Sequence, residues 1–212
     1  MAAKGVSTTA EPLEYEDYLR LVEELECAGK YRWELFCILA CAFALRAKDV
    51  LNIKWGDVLY GDLYVLSEHK TGKLRRITIN TTVRGKLFFI YERMGRPVIE
   101  SLAFVNKRTQ QPFTIQNVNY HLRNFKKKYE LPINRFSSHS FRKTFGMKFF
   151  KDQGESDRAL IILSRELNHS GPHVTRRYIG IKESEYQATY DSITFNTTQN
   201  GDSRKIQKHV PC

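Results

Sequence analysis

Residues 32–45 have the sequence RWELFCILACAFAL and are apolar on almost every face of a helix. A helix that is apolar all round lies buried in a protein core, so this segment predicts a central helix around which the chain packs. Its apolar run, residues 35–45, is too short to span a bilayer and is followed directly by Arg46. Residues 1–12 lack the apolar core of a signal peptide, which predicts a protein that stays inside its cell and has no membrane partner.

The segments on either side of the central helix predict more helices and one small sheet. Upstream, apolar residues from Tyr18 to Leu25 follow the spacing of an amphipathic helix that Gly29 ends. Downstream, residues 57–80 alternate apolar and polar side chains between glycine-containing turns, which predicts an antiparallel sheet of about three strands. Further helices are predicted over residues 48–53, 82–95, 114–130, 138–154, 155–167 and 183–194, and a short strand or extended piece over 101–107. The predicted fold class is therefore mainly α with a small antiparallel β-sheet, an α+β fold.

The composition indicates a folded and basic protein. Hydrophobic residues make up 42% of the chain, which is enough for a globular core. We expect a flexible leader at residues 1–12, one folded domain at 13–193 and a polar C-terminal tail at 194–212. Lys and Arg number 34 against 23 Asp and Glu, giving a net charge of +11. Such an excess predicts an anionic partner, and nucleic acid is the commonest.

The four cysteines are Cys27, Cys37, Cys41 and Cys212, and none of them forms a C-x-x-C pair. Three of them lie in predicted helices. This arrangement indicates reduced thiols in the core of a cytosolic protein rather than disulfides or a metal site.

Two basic residues fall at the ends of predicted elements. Arg46 follows the central helix, and Asp49, three residues later, is placed to hold it. The alternative is an arginine that only stabilises the helix C-terminus through the dipole. Lys70 lies on a predicted hairpin turn in EHKTGKLRRITI, where a solvated turn lysine is the simpler interpretation.

The segment SSHSFRKTFG, residues 137–146, carries a stronger signal. His139 and Arg142 are three residues apart and so share one face of a helix that Ser137 or Ser138 can cap. A histidine and an arginine on one exposed face can clamp a phosphate, the arginine through a bidentate fork. The alternative is a capped helix with a solvated basic face.

The segment LNHSGPHVTRRYIG, residues 167–180, places His169 before a Gly-Pro turn and Tyr178 nine residues later. A metal pair of His169 and His173 is disfavoured, because Pro172 interrupts the helix that would align them and no third ligand lies nearby. A buried core tyrosine is the alternative interpretation of Tyr178.

Taken in order, four motifs resemble the catalytic domain of the tyrosine recombinases, also called phage integrases. The resemblance runs from about residue 13 to about residue 192. The motifs are LRAKDVLNIKWGD at 45–57, KTG with Lys70, HSFRKTF at 139–145 and LNHSGPHVTRRYIG at 167–180. Each motif alone has moderate specificity, but four in order with family-like spacing make coincidence very improbable.

The resemblance implies a catalytic role for six residues. Tyr178 matches the nucleophile that attacks a DNA phosphodiester and forms a 3′-phosphotyrosyl bond. Lys70 matches the general acid for the leaving 5′-oxygen, and His139 matches an acid/base and positioning residue. The residues that match phosphate-binding groups are Arg46, Arg142 and His169. The implied reaction needs neither a metal nor a cofactor, since the arginines stand where many nucleases use divalent cations.

Two features depart from the family pattern. Lys143 follows Arg142, where many relatives carry histidine. Fewer than about 15 residues precede the first predicted helix, where the family usually has an N-terminal DNA-clamping domain. Either that domain was removed from the sequence, or the chain is one of the short stand-alone members. Two other functions stay open: a type IB topoisomerase-like enzyme that relaxes DNA, and an inactive DNA-binding regulator of the same fold. The regulator is disfavoured because all six catalytic residue types are present.

The resemblance also implies how and where the protein acts. The expected partner is double-stranded DNA, and the expected setting is a mobile element in the nucleoid of a prokaryotic or phage-infected cell. Tyr186, Tyr190 and Ile193 form an apolar stripe in the helix predicted after the nucleophile. Family members pass such a helix to a neighbouring protomer, so we expect a monomer in solution and a tetramer on paired DNA sites.

Overall fold

Helices make up most of the structure, as the sequence predicts. The computed structural model of the protein describes residues 10–106 and 108–181. In chain order these residues form α1 (Tyr15–Cys27), α2 (Tyr31–Ala42), α3 (Ala47–Leu51), α4 (Trp55–Leu59), β1 (Leu63–Ser67), β2 (Leu74–Thr78), α5 (Thr81–Arg93), α6 (Ile115–Lys128), α7 (Ser138–Asp152), α8 (Asp157–Glu166) and α9 (Pro172–Ile179). The predicted fold class, mainly α with a small antiparallel sheet, is confirmed.

The central helix predicted from residues 32–45 is α2. All of its residues from Glu34 to Cys41 are buried, and it packs against α1, α3, α5 and α7. The helix ends at Ala42, earlier than predicted, because the chain turns at Ala44, whose φ of 48° lies in the left-handed region. Arg46 therefore does not end the buried helix; it is the N-cap residue of α3. This correction places Arg46 in a loop that faces the sheet.

The sheet among the described residues has two strands, not three. β1 pairs antiparallel with β2, so that Leu63 lies opposite Thr78 and Ser67 opposite Leu74. The first predicted strand is wrong because residues 55–59 form α4. The Asp57 side chain accepts a hydrogen bond from the Lys54 backbone N–H at 2.8 Å, which starts that helix. Of the strand or extended piece predicted at 101–107, the described residues 101–106 contribute only an isolated bridge on either side of Ala103, and so form an extended piece.

The last three helices pack closely because α7 contains a glycine. Ser137 caps α7: its side chain accepts from the His139 N–H, and its own N–H donates to the Ser140 hydroxyl at 3.2 Å. A side chain at Gly146 would place its Cβ only 2.7 Å from Cγ2 of Ile179 on α9. Glycine thus lets α9 lie directly against α7. Because Tyr178 is next to Ile179 in the chain, this contact also fixes the position of Tyr178 relative to α7.

The cysteine predictions are confirmed in α2 only. Cys37 and Cys41 are buried free thiols, and burial raises the pKa of Cys41 to about 12. Cys27 is exposed, because it lies two residues beyond Leu25 and so leaves the buried stripe of α1. Cys212 and the predicted helix at 183–194 lie outside the described residues. Within residues 10–106 and 108–181, no helix has the length and hydropathy needed to cross a membrane.

Candidate active site

A buried carboxylate surrounded by arginines forms the centre of the candidate site. Glu68 follows β1, and its side chain is fully buried. Its Oε2 lies 2.7 Å from Nη1 of Arg46, while its Oε1 lies 3.8 Å from Nη1 of Arg142 and 3.9 Å from Nη1 of Arg75. Three guanidinium groups therefore share one carboxylate. The cluster keeps two more positive charges than negative ones, which suits it to a second anion.

Glu68 stays ionised in this position. Burial acts to raise the pKa of its carboxyl group, but contacts from Arg46, Asn168 and Thr71 bring the pKa below its usual value. The Thr71 hydroxyl donates to Oε2 at 2.9 Å. A buried carboxylate without such partners would carry a large desolvation cost.

Arg142 is buried, although the sequence predicts an exposed basic face. Its Nη1 donates to the carbonyl oxygen of Ala44 at 2.5 Å, and its Nη2 donates to that of Leu167 at 2.7 Å. Both carbonyls lie just beyond helix C-termini, at the ends of α2 and α8, where backbone oxygens lack helical partners. Burial, together with the neighbouring cations, lowers the pKa of Arg142 to about 10, so the group remains charged at neutral pH.

Arg46 is held by Glu68, not by Asp49 as the sequence suggests. The chain reverses at Ala44, so the Arg46 side chain reaches the sheet. Oδ1 of Asp49 instead accepts a hydrogen bond from the backbone N–H of His69 at 2.9 Å. Asp49 therefore anchors the turn that precedes Lys70.

Two members of this cluster, Glu68 and Arg75, are not among the residues predicted from the sequence. Arg75 on β2 donates to the carbonyl oxygens of Ala44 at 3.2 Å and Phe43 at 3.1 Å. The sequence could have predicted the burial of Arg75, because Arg75 and Ile77 are two residues apart on a strand and so point to the same buried face. Glu68 gave no comparable signal, since an acidic residue next to a turn is usually solvated.

Tyr178 and His169 face each other beside Arg142. Their ring centroids are 4.8 Å apart at 68°, and the His169 Nδ1 shares a hydrogen bond with the Thr175 hydroxyl at 2.9 Å. Burial raises the pKa of the Tyr178 hydroxyl, and the charges of Arg142 and Arg46 oppose that rise. Burial and the same two arginines lower the pKa of His169 to about 4. At neutral pH both side chains are therefore uncharged.

Two further basic side chains, His139 and Lys143, lie at the edge of this group. His139 is exposed near the start of α7, and partial burial of its ring lowers its pKa, as do the charges of Arg142 and Arg46. The buried Lys143 places its Nζ over the Tyr178 ring, 5.0 Å from the centroid. The residue that departs from the common family pattern thus contacts the candidate nucleophile through a cation–π interaction.

Among the described residues, Lys70 lies apart from the group that contains Arg142, His169 and Tyr178. It is exposed on the turn between β1 and β2, and no hydrogen bond or ion pair joins its ammonium to the described part of the chain. Its charge nevertheless contributes to the lowered pKa of His139. The structure therefore gathers Arg46, Arg142, His169 and Tyr178, with His139 beside them and Lys70 on an adjacent turn.

Comparison with known proteins identifies the same part of the chain. A family model described as the phage integrase family matches residues 11–185. The probable integrase/recombinase YoeC of Bacillus subtilis (strain 168) is 33% identical over 147 residues, which cover 69% of this chain and 76% of that protein.

Solved structures of low sequence identity share the fold. The XerH site-specific recombinase bound to palindromic difH substrate, in a post-cleavage complex, matches with a TM-score of 0.64 at 18% identity over 91% of this chain. XerA recombinase matches at 0.65 and 18% over 89%. The Tn1549 transposon integrase in complex with transposon right end DNA matches at 0.64 and 14% over 90%. The matched region spans 56% of the XerH chain, 66% of the XerA chain and 67% of the Tn1549 integrase chain.

Proposed function

The chain belongs to the phage integrase family, the tyrosine recombinases, and we propose that it cuts and rejoins DNA strands at specific sites through a covalent intermediate on Tyr178. One observation carries the assignment of the site. The Tyr178 ring lies beside a cluster of three arginines that share the carboxylate of Glu68. The positive charge that remains in this cluster attracts an anion, and a phosphodiester is one.

In this mechanism the Tyr178 oxygen attacks the phosphorus atom, forms a 3′-phosphotyrosyl bond and releases a 5′-hydroxyl. The raised pKa of Tyr178 means that its phenol is protonated at rest, so a proton must leave during the attack. The lowered pKa of His139 keeps that imidazole neutral and able to accept a proton. The reverse attack, by a 5′-hydroxyl from another strand, rejoins the DNA.

Arg46, Arg142 and His169 stabilise the charge that develops on the non-bridging oxygens. Arg142 uses two N–H groups on carbonyl oxygens, and a guanidinium has five, which leaves donors for the phosphate. His169 is neutral and can donate from Nε2 when the Thr175 hydroxyl donates to its Nδ1. Lys70 acts on the bridging atom, where its ammonium protonates the leaving 5′-oxygen.

The exposed face of α6 supports double-stranded DNA as the partner. This helix is tied to the start of α7, because Oδ1 of Asn119 accepts the Ser138 N–H at 2.9 Å. Its exposed side chains are rich in the amide and basic groups that contact phosphates and base edges: Gln116, Asn117, Tyr120, Arg123, Asn124 and Lys127. We infer that this face lies along the duplex next to the phosphate that Tyr178 attacks.

We further propose that the protein is a monomer in solution and a tetramer on paired DNA sites in the cytoplasm of a prokaryotic or phage-infected cell. The support is the sequence spacing of Tyr186, Tyr190 and Ile193, which predicts an apolar stripe that needs a buried partner. A chain that ends after Gly180 should still bind a single site but pair two sites less well, as measured by gel shift and light scattering. Equal pairing by the shortened chain would exclude the C-terminal segment as the link.

The proposed function is tested by trapping the covalent intermediate. The probe is a pool of nicked duplexes with a randomised core. After cleavage, the short piece between the cut and the nick, which carries the 5′-hydroxyl, diffuses away. It can then no longer attack the protein–DNA bond, so the bond is preserved. We expect denaturant-resistant complexes that enrich one sequence and form equally well in EDTA. Complexes of any sequence, with relaxation of supercoiled plasmid, would indicate the topoisomerase-like function. DNA binding without a covalent complex would indicate the regulator, and loss in EDTA would indicate a metal-dependent reaction.

A further inference from the structure

The buried Glu68 has no part in the mechanism described above. A phosphate-binding site gains affinity from cations, and an additional carboxylate among them competes with the substrate for the same guanidinium groups. Glu68 nevertheless lies within the arginine cluster, with Oε2 2.7 Å from Nη1 of Arg46. Its position therefore needs an explanation other than phosphate binding.

The backbone hydrogen bonds of Glu68 explain its position, because they close the turn that carries Lys70. The Glu68 carbonyl oxygen accepts from the Gly72 N–H at 2.8 Å and from the Thr71 N–H at 3.3 Å, and the Glu68 N–H donates to the Lys73 carbonyl at 2.9 Å. The side chain adds a further link, since Oε2 accepts from the Thr71 hydroxyl at 2.9 Å. One carboxylate oxygen thus contacts both Arg46 and the turn of Lys70.

These contacts join two groups that act on different oxygens of the same phosphate. Arg46 is assigned to a non-bridging oxygen and Lys70 to the leaving 5′-oxygen, so the reaction requires their relative positions to be fixed. Lys70 is exposed and has no hydrogen bond or ion pair of its own within residues 10–106 and 108–181. Its placement accordingly depends on the turn, and the turn depends on Glu68 and Asp49.

Resting on the proposed function, we propose that Glu68 is a positioning residue for DNA cleavage: its carboxylate ties the Lys70 turn to Arg46, so that the general acid meets the leaving oxygen of the phosphate that Arg46 holds. A residue that only neutralised the arginines would affect all leaving groups equally. A residue that acts through Lys70 affects the cleavage rate only for leaving groups that need a proton.

A substrate with sulfur in place of the 5′-bridging oxygen separates these roles. A thiolate leaves without protonation, so the cleavage rate of this 5′-phosphorothiolate does not depend on a general acid. The measured quantity is the ratio of the cleavage rate on the sulfur substrate to that on the oxygen substrate. Because both rates come from one protein sample, partial misfolding of a variant does not change the ratio.

We expect Lys70→Ala to raise this ratio by at least about a hundredfold, the usual size of general acid catalysis. Glu68→Gln should raise it at least about tenfold. Thr71→Val, which removes the hydroxyl that donates to Glu68 and accepts from the Lys73 N–H at 3.3 Å, should raise it at least about threefold. Ser67→Ala is the matched control, since it removes another hydroxyl of the same turn, bonded to the Gly72 carbonyl, and should leave the ratio unchanged. Arg46→Ala should slow both substrates and should also raise the ratio, because it removes the other end of the link between Glu68 and the turn.

The two proposals fail in distinguishable ways. If Lys70→Ala raises the ratio while Glu68→Gln and Thr71→Val do not, Glu68 does not position the general acid and the inference is wrong. Thr71 lies on an exposed turn, so its variant decides the question even if Glu68→Gln does not fold. If the wild-type protein cleaves neither substrate, or if Lys70→Ala leaves the ratio unchanged, the assigned mechanism fails and the inference falls with it.

Discussion

Arg142 on α7 and Arg46 before α3 carry the same guanidinium group, but the protein holds them with different partners. Arg142 is fixed by two neutral carbonyl oxygens at helix ends, and the nearest Glu68 oxygen is 3.8 Å away. Arg46 is fixed by the charged carboxylate of Glu68 at 2.7 Å. Neutral acceptors orient a cation without cancelling its charge, whereas a carboxylate reduces it. The helical side of the site thus offers more positive charge to a phosphate than the side next to the hairpin.

The largest expected effect lies on the helical side, at Tyr178. We expect Tyr178→Phe to abolish covalent attachment and leave DNA binding intact, because it deletes the attacking oxygen and keeps the ring against His169. Gel assays of covalent complexes and of equilibrium binding measure the two properties. Tyr60→Phe, at a residue 60% exposed on the surface, is the control. If Tyr178→Phe attached to DNA as well as the wild-type protein does, the nucleophile would be Tyr186 or Tyr190 instead.

Alanine substitutions of Arg46 and Arg142 should have the next largest effects on cleavage, and the two effects should differ in size. We expect Arg46→Ala and Arg142→Ala each to lower the single-turnover cleavage rate at least about a hundredfold, the usual loss for one preorganised donor to a developing anion. Arg142→Ala should have the larger effect, because its charge is less compensated by Glu68. A loss of only twofold or threefold with the fold intact would return either residue to a structural role, and a larger loss for Arg46→Ala would contradict the comparison.

Their contributions to stability should also differ in kind. A double-mutant cycle between Arg46→Ala and Glu68→Gln should give a coupling free energy of about 0.5–3 kcal/mol in urea unfolding, because the two groups form a close ion pair. The same cycle between Arg142→Ala and Glu68→Gln should give a smaller coupling, since Arg142 bonds to carbonyl oxygens. Arg142→Ala should cost about 1–3 kcal/mol for the Leu167 carbonyl that it leaves unpaired, while the Ala44 carbonyl keeps its hydrogen bond from Arg75. Equal couplings would mean that the two arginines are held alike.

The smallest expected effect is a pH dependence at His169. Its pKa falls from 6.5 to about 4 in the folded chain, so between these values the unfolded chain binds more protons. The stability that His169 contributes is complete above pH 6.5 and is lost as the pH falls toward 4. His169→Gln should therefore flatten the decline of the free energy of unfolding over this range, while His173→Gln, exposed on α9, should not. An NMR titration of His169 with a midpoint above pH 6 would contradict the assignment.

How much the sequence could predict depended on whether a residue acts locally or across the fold. The apolar run of α2 and the cap of α7 are local, and both lie where the sequence places them. Arg142, His169 and Tyr178 share a helix or turn with their motifs, so each could be named from the sequence. The first predicted strand failed because one side-chain cap, from Asp57 to the Lys54 N–H, decides between helix and strand.

The partners of the site residues could not be predicted, because they come from distant parts of the chain. The carbonyl oxygen that fixes Arg142 belongs to Ala44, 98 residues earlier. Glu68 meets Arg46 only because the chain reverses after α2 and brings the hairpin back over it. Asp49 was assigned to Arg46 on spacing, but it bonds to the Lys70 turn instead. Residue types follow from motifs, whereas pairings require the tertiary structure.

The identity of the attacking residue can be measured directly by mass spectrometry of the trapped covalent complex. After nuclease and trypsin digestion, cleavage behind Arg177 and Lys182 isolates residues 178–182, YIGIK, which contain Tyr178 as their only tyrosine. Tyr186 and Tyr190 fall together in the next peptide, residues 183–204. We predict a nucleotide adduct on YIGIK and an unmodified 183–204 peptide. An adduct on the 183–204 peptide, with YIGIK unmodified, would contradict the account of the site.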